Sequence, residues 1–147
     1  MRNYKLSPAG EKFIKGIERL RLVAYQNKND VPTIGWGTTV YPNGIRVKLG
    51  DTCTAEQAEQ YFQHDIQKFE DDINKKLMVD IKQNQFDPMV SLWYNGGGSR
   101  TIMSYINAKV QLAVIYKWWC THYITSGGVK SNGLVKRRKE EADLFIA

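Results

Sequence analysis

The sequence predicts an α+β fold, with a small antiparallel β-rich lobe beside a larger helical lobe, and three observations carry that prediction. Helical apolar spacing opens the chain around Phe13, Ile14 and Ile17. β-type segments broken by turn residues follow from Leu22 to Val47, and beyond Gly50 the apolar spacing is helical to the end. Segregated strands and helices of this kind mark α+β architecture, and the seam between two such lobes is a natural place for a cleft. Residues 1–147 read as one domain, with the β-rich lobe at about 20–50 and the helical lobe at about 54–147 plus the N-terminal helix.

Each element has a local cause. Ser7 before Pro8 is a helix start, because the hydroxyl can cap an orphan N–H and proline is preset for the first helical position. Phe13, Ile14, Ile17 and Leu20 supply the apolar stripe, with Glu18 beside it near the C-terminal end. The run "LVAY", "QNKND", "VPTIGWG", "YPNG", "IRV" then reads as a small antiparallel sheet. Asn43 and Gly44 give its turn signal, while Gly35 and Gly37 point to a bend or a close approach of another backbone. Thr54 with Gln57 forms a capping box for a long helix whose stripe is Ala58, Tyr61, Phe62, Ile66, Phe69 and Ile73. A further helix through Phe86, Met89, Val90, Trp93 and Tyr94 stops at the glycine run 96–98, and Pro88 either kinks it or marks its start. Helices are expected at Thr101–Ala108, Val110–Tyr123 and Leu134–Phe145, with "TSGGVKSNG" as a loop before the last.

Composition narrows the function classes. A chain of 147 residues, 42% hydrophobic and 24% charged, has the make-up of a folded soluble domain, long enough to bury roughly 70% of its unfolded surface. The formal charge of +6 favours polyanions: nucleic acid, anionic lipid or the acidic polymers of a bacterial wall. Its one basic cluster, Lys136 to Lys139, reads either as a solvated helix face or as part of that attraction. Nucleic acid is disfavoured, since no aromatic-basic motif or recognition helix is present. Two cysteines, Cys53 and Cys120, without a CxxC pair read as free thiols, and with two histidines they indicate no metal centre. No signal-peptide pattern and no apolar run of ~20 residues is present, so a protein made in the cytoplasm and staying soluble is expected; a monomer is expected as well.

The most informative residues are Glu18 at a helix end and the hairpin that follows it, bearing Asn27, Asp30 and Thr33. A carboxylate at the negative end of a helix dipole among apolar neighbours is disfavoured in its charged form. That suits a general acid for glycoside cleavage, which also needs an opposed group to activate or hold water. The plain alternative is that Glu18 is a surface residue ending a helix.

"GIERLRLVAYQNKNDVPTIGWGTT" resembles the active-site region of the phage-type lysozymes of glycoside hydrolase family 24, whose pattern is Glu, eight residues, Asp or Cys, five residues, Thr. Glu18 and Thr33 match it in identity and spacing. The likeness continues through "GDTCTAEQAEQYF", "QNQFDPMVSLWYNGGG" and "NGLVKRRKEEADLF", nearly the whole chain in order. The resemblance implies a lysozyme-like fold and a muramidase that cuts the β-1,4 bond between N-acetylmuramic acid and N-acetylglucosamine in bacterial peptidoglycan, with inversion and without metal or cofactor. Glu18 would be the acid, Thr33 would hold the water, and Arg137 or Arg138 would pair with the acid. Gln83 and Asn95 are candidates for sugar contact, with a capping or surface role as the alternative. Trp36 is the best placed tryptophan for a sugar, whereas Trp93, Trp118 and Trp119 read as core. His64 and His122 read as surface or satisfied side chains.

The chain departs from the pattern at the second catalytic position, where Asn27 stands for an acid or thiol. An amide orients water but cannot take its proton. Three explanations compete: an engineered replacement, the natural residue of a slow family member, or transfer of the role to Asp30. The segment before "SYIN" is also short for the family, and Pro88 replaces a helix former. An endolysin that degrades peptidoglycan in host lysis is therefore the leading reading, and a catalytically silent peptidoglycan-binding protein on the same fold is the alternative.

Overall fold

A computed structural model describes residues 1–147. The chain forms two compact units, Glu11–Lys68 and Met1–Gly10 with Phe69–Ala147.

The first helix, α1 (Pro8–Glu18), begins as the capping argument expects: Ser7 Oγ accepts the Gly10 N–H at 3.0 Å. It ends sooner than the apolar stripe suggested. Arg19 turns left-handed at φ 59°, so Leu20 lies outside the helix. The chain then runs into β1 (Arg21–Tyr25), which pairs antiparallel with β2 (Thr33–Gly35). The "IRV" segment is not a third strand. Only an isolated bridge, Val40 to Arg46, joins it to the preceding chain, because the turn closed by Gly44 N–H on Tyr41 C=O is followed by no longer ladder. Ala24, Ile34 and Val47 form the buried cluster under the ribbon, covered by Tyr41 and Cys53.

The capping box that starts α2 (Ala55–Lys76) is present in both directions: Gln57 N–H donates to Thr54 Oγ1 at 3.0 Å, and Thr54 N–H donates to Gln57 Oε1 at 2.9 Å. Its buried residues Ala58, Phe62 and Ile66 face the same unit. Gly35 carries a demand of its own. Its φ is 67°, and a Cβ there would sit 3.3 Å from the Ala58 Cβ. Gly35→Ala is therefore expected to lower stability by about 1–2 kcal/mol, the cost of forcing a side chain into the left-handed region. Urea unfolding measures this, and an unchanged midpoint would show that the turn relaxes freely.

In the other unit, the N-terminal segment is tied down by side chains far along the sequence: Tyr4 N–H donates to Asn74 Oδ1, Leu6 N–H to Glu70 Oε2, and Ser7 N–H to Asp87 Oδ1. Helix α3 (Gln83–Gly96) starts five residues before Pro88, so the proline does not mark its beginning; it lies inside, where its ring removes the hydrogen bond to the Asn84 carbonyl. Gly97, left-handed, ends the helix by donating its N–H to the Trp93 carbonyl. After it come α4 (Arg100–Asn107), capped by Ser99 Oγ, and α5 (Leu112–Thr121). The expected loop before the last helix is instead a short hairpin, β3 (Thr125–Ser126) with β4 (Val129–Lys130). Gly127 and Gly128 both have positive φ, the requirement of a tight two-residue turn; strands of two residues carry no periodic signal. Helix α6 (Asn132–Ile146) closes the chain and packs on α3 and α5.

Trp93 and Trp119 are fully buried, as expected of core residues. Trp118 is not core. It lies one position off the buried face of α5 that Ile115 and Trp119 define, and stacks on the His122 ring at 4.3 Å. No helix is long and apolar enough to cross a membrane, and both cysteines are free.

Candidate functional site

The Glu11–Lys68 unit carries the acid and the hairpin. Glu18 is the last residue of α1 and is partly buried. The left-handed Arg19 reverses the chain immediately after it, so β1 follows directly on the helix end. Within the ribbon, Arg21 lies opposite Gly35 and Tyr25 opposite Thr33, with an irregular register between. The linking turn holds Asn27 and Asp30 at its two ends: Asp30 N–H donates to the Asn27 carbonyl at 3.1 Å, and Asn29 between them takes φ 64°. Gln26 Nε2 braces the turn by donating to the Asp30 carbonyl at 2.9 Å. The Asp30 carboxylate in turn accepts the Val31 N–H at 2.8 Å.

Thr33 is 6% exposed, and its hydroxyl donates to the Val31 carbonyl at 2.9 Å. With the proton committed, its oxygen is left as an acceptor. A water held there donates one hydrogen to Thr33 and keeps its lone pairs for an electrophile.

Tyr25, which the sequence reading passed over, stands opposite Thr33 and is half-buried. Burial raises its phenol above the ordinary tyrosine value; the negative charges of Glu18 and Asp30 act in the same direction, and Arg21 acts against them. The Arg21 guanidinium lies 4.4 Å from the ring centroid. Both carboxylates are thus electrostatically felt at one side chain of the ribbon. The residue alternation along β1 could have placed Tyr25 on this face; its partners were not readable.

Trp36 sits in the tight turn between Gly35 and Gly37 and is partly exposed. Lys15 Nζ lies 5.3 Å from its ring centroid and is itself paired with Glu11 and Glu59. Burial opposes the lysine's charge, but the hydrogen bonds it donates to Glu11 and Glu59 hold its pKa above the ordinary value.

The remaining candidates belong to the other unit. Gln83 Nε2 donates to the Lys5 carbonyl at 2.8 Å and to Asp87 Oδ1 at 2.7 Å, so its amide hydrogens join the N-terminal segment to α3. Asn95 accepts a hydrogen bond from Arg138 Nη2 at 2.7 Å. The basic cluster does not form one solvated face: Lys136 and Lys139 are exposed, whereas Arg137 and Arg138 are buried at 4% and 0% exposure. Both guanidiniums meet Glu141, Arg138 Nε at 3.0 Å and Arg137 Nε at 3.4 Å. Glu141 also accepts from Ser91 Oγ and from Trp119 Nε1, the latter at 3.0 Å. Burial pushes the Glu141 carboxyl above its ordinary value, while Arg138, Ser91, Trp119 and Arg137 hold it down. Glu141 was legible as a partner, since it lies three and four residues beyond the arginines on one helix face; Ser91 left no sequence signal.

The sequence model of the family described as phage lysozyme matches residues 15–141. The endolysin of Bacillus phage B103 is 40% identical over 149 aligned residues, covering 96% of this chain, which spans only 54% of that protein's length. The endolysin of Salmonella phage P22 is 32% identical over 97% of this chain and 99% of its own length. Among solved structures, an endolysin from Escherichia coli O157:H7 phage FAHEc1 superposes with a TM-score of 0.82 at 38% identity, covering 99% of this chain and 95% of that one.

Proposed function

This chain belongs to the phage lysozyme family, and from that premise we propose that it is an endolysin-type muramidase acting on bacterial peptidoglycan. The observation that carries the reading is the single ribbon of the Glu11–Lys68 unit, in which the helix-ending Glu18 is followed directly by β1, a turn that bears Asn27, and β2, which opens on Thr33, at the family spacing. In this reading Glu18 protonates the leaving oxygen of the β-1,4 bond. Thr33 accepts a hydrogen bond from the attacking water, the Asn27 amide orients it, and the proton the water loses on bonding to the sugar carbon passes to bulk solvent, which also reprotonates Glu18. The sugar carbon inverts, because water attacks from the face opposite the acid.

Trp36 offers a ring face to a sugar. Asn95 supplies an amide steadied by Arg138, and Gln83 can offer only its carbonyl oxygen, since its N–H groups are engaged. The net charge of +6 favours approach to the anionic wall.

Turbidity loss of outer-membrane-permeabilised bacteria tests the acid. Glu18→Gln is expected to lower the rate by about 10²- to 10⁴-fold. A variant that keeps the full rate overturns the assignment of the site. Anomer analysis of the released product checks inversion separately, and retention would reject the water-attack geometry.

A further inference from the structure

The structure assigns a second saccharide-binding site to the 41–52 loop and the Tyr61 side of α2, with one N-acetylhexosamine disaccharide stretch of a glycan strand as its occupant. This deepens the muramidase reading and rests on it for the identity of the polymer. A shallow cavity of about 590 Å³ lies here, floored by Tyr41 and Tyr61 and rimmed by Asn43, Lys48, Asp51 and Thr52. None of Glu18, Asn27, Thr33 or Trp36 lines it.

Preorganisation is the first argument. The tyrosine rings meet edge to face, 5.1 Å between centroids, and neither is fully buried. Tyr41 donates its hydroxyl to Asp51 Oδ2 at 2.8 Å, and the same oxygen accepts the Lys48 N–H at 2.9 Å. The Asp51 N–H closes the loop on the Lys48 carbonyl at 3.0 Å. The aromatic floor is therefore fixed before any ligand arrives, which keeps the ordering cost of binding low.

The chemistry of the rim selects the ligand class. The Lys48 N–H and the Tyr41 hydroxyl hold the Asp51 carboxyl below its ordinary value, and the Lys48 ammonium acts in the same direction. A charge-balanced rim favours a neutral ligand over a phosphate or carboxylate. Asn43 uses its carbonyl oxygen on the Ile45 N–H at 3.0 Å and keeps its NH₂ to donate; the exposed Thr52 hydroxyl donates or accepts. Two tyrosine rings beside the Asn43 amide, the Thr52 hydroxyl, the balanced Lys48–Asp51 charges and the apolar Pro42 and Ile45 fit a pyranose, which presents C–H bonds on its face and hydroxyl and acetamido groups at its edge. Packing explains the inner side of Tyr41, which covers the Ala24, Ile34 and Val47 cluster.

The test uses the full chain. Amide chemical shifts are followed during titration with triacetylchitotriose, and affinity for purified sacculi is measured by co-sedimentation. Saturable shifts at residues 41–52 and 61 are expected. Tyr61→Leu and, independently, the exposed-site variant Asn43→Ala should each weaken sacculus binding by about 2- to 10-fold. Shifts confined to residues 18–36 would overturn the second site and leave the muramidase reading standing. Glycerol phosphate shifting the loop where chitotriose does not would overturn the neutral-sugar assignment. No shifts anywhere, together with no sacculus retention, would overturn both readings.

Discussion

Asn27→Asp is expected to raise the rate of wall hydrolysis by about 10²- to 10⁴-fold, the usual worth of a general base. Asn27 is exposed and its side chain makes no structural bond in the turn; the backbone carbonyl is what receives the Asp30 N–H. The substitution is isosteric, so neither fold nor binding has reason to change, and the gain should fall in kcat with KM nearly constant. It should also introduce an acidic limb in the pH–rate profile, because the new carboxyl works only when ionised. The competing idea, that Asp30 already serves as base, makes a different forecast. Its Oδ1 is occupied by the Val31 N–H, a bond that suits a turn cap. Asp30→Asn would abolish activity if Asp30 were the base, and Asn27→Asp would then add nothing. A flat response to Asn27→Asp with a strong loss at Asp30→Asn is the result that would move the base three residues along the chain.

The contrast between what could and could not be read from the sequence follows the range of each interaction. The caps at Ser7 and at Thr54 with Gln57 were legible because donor and acceptor lie three residues apart, and the stop at Gly97 because one residue's backbone freedom decides it. Glu18, Asn27 and Thr33 stood out through the family spacing, and all three lie in the Glu11–Lys68 unit. The Asp87 carboxylate that ties down Ser7, 80 residues away, was not, nor was the Ser91 hydroxyl on Glu141, 50 residues away. Such pairs form only once helices pack, and no local pattern announces them. The basic cluster differs: its partner Glu141 lies within one helical turn, but that the pairs are buried depends on α6 packing against its neighbours. Four consecutive cations resemble a solvated face until Glu141 is seen beneath the middle two.

That buried carboxylate sets the second large expectation. Glu141→Gln should lower stability by about 3–5 kcal/mol, the range for removing one partner of a buried ion pair. Glu141 is 0% exposed and is the carboxylate that Arg137 and Arg138 share. Neutralising it leaves both guanidiniums desolvated without that counter-charge, and the amide can still accept from only some of the four donors now directed at the carboxyl. The neighbouring pair Lys136–Glu140 supplies the control. Its atoms are 3.8 Å apart and its side chains 79% and 40% exposed, so solvent already screens the interaction. Glu140→Gln should therefore leave the urea midpoint where it was. Losing three charges and keeping the packing, as in the triple change of Glu141, Arg137 and Arg138 to apolar residues of similar volume, should restore much of the stability. Equal, small effects of Glu141→Gln and Glu140→Gln would mean that the buried network contributes no more than a surface pair, and that Arg138 is held by Asn95 and packing instead.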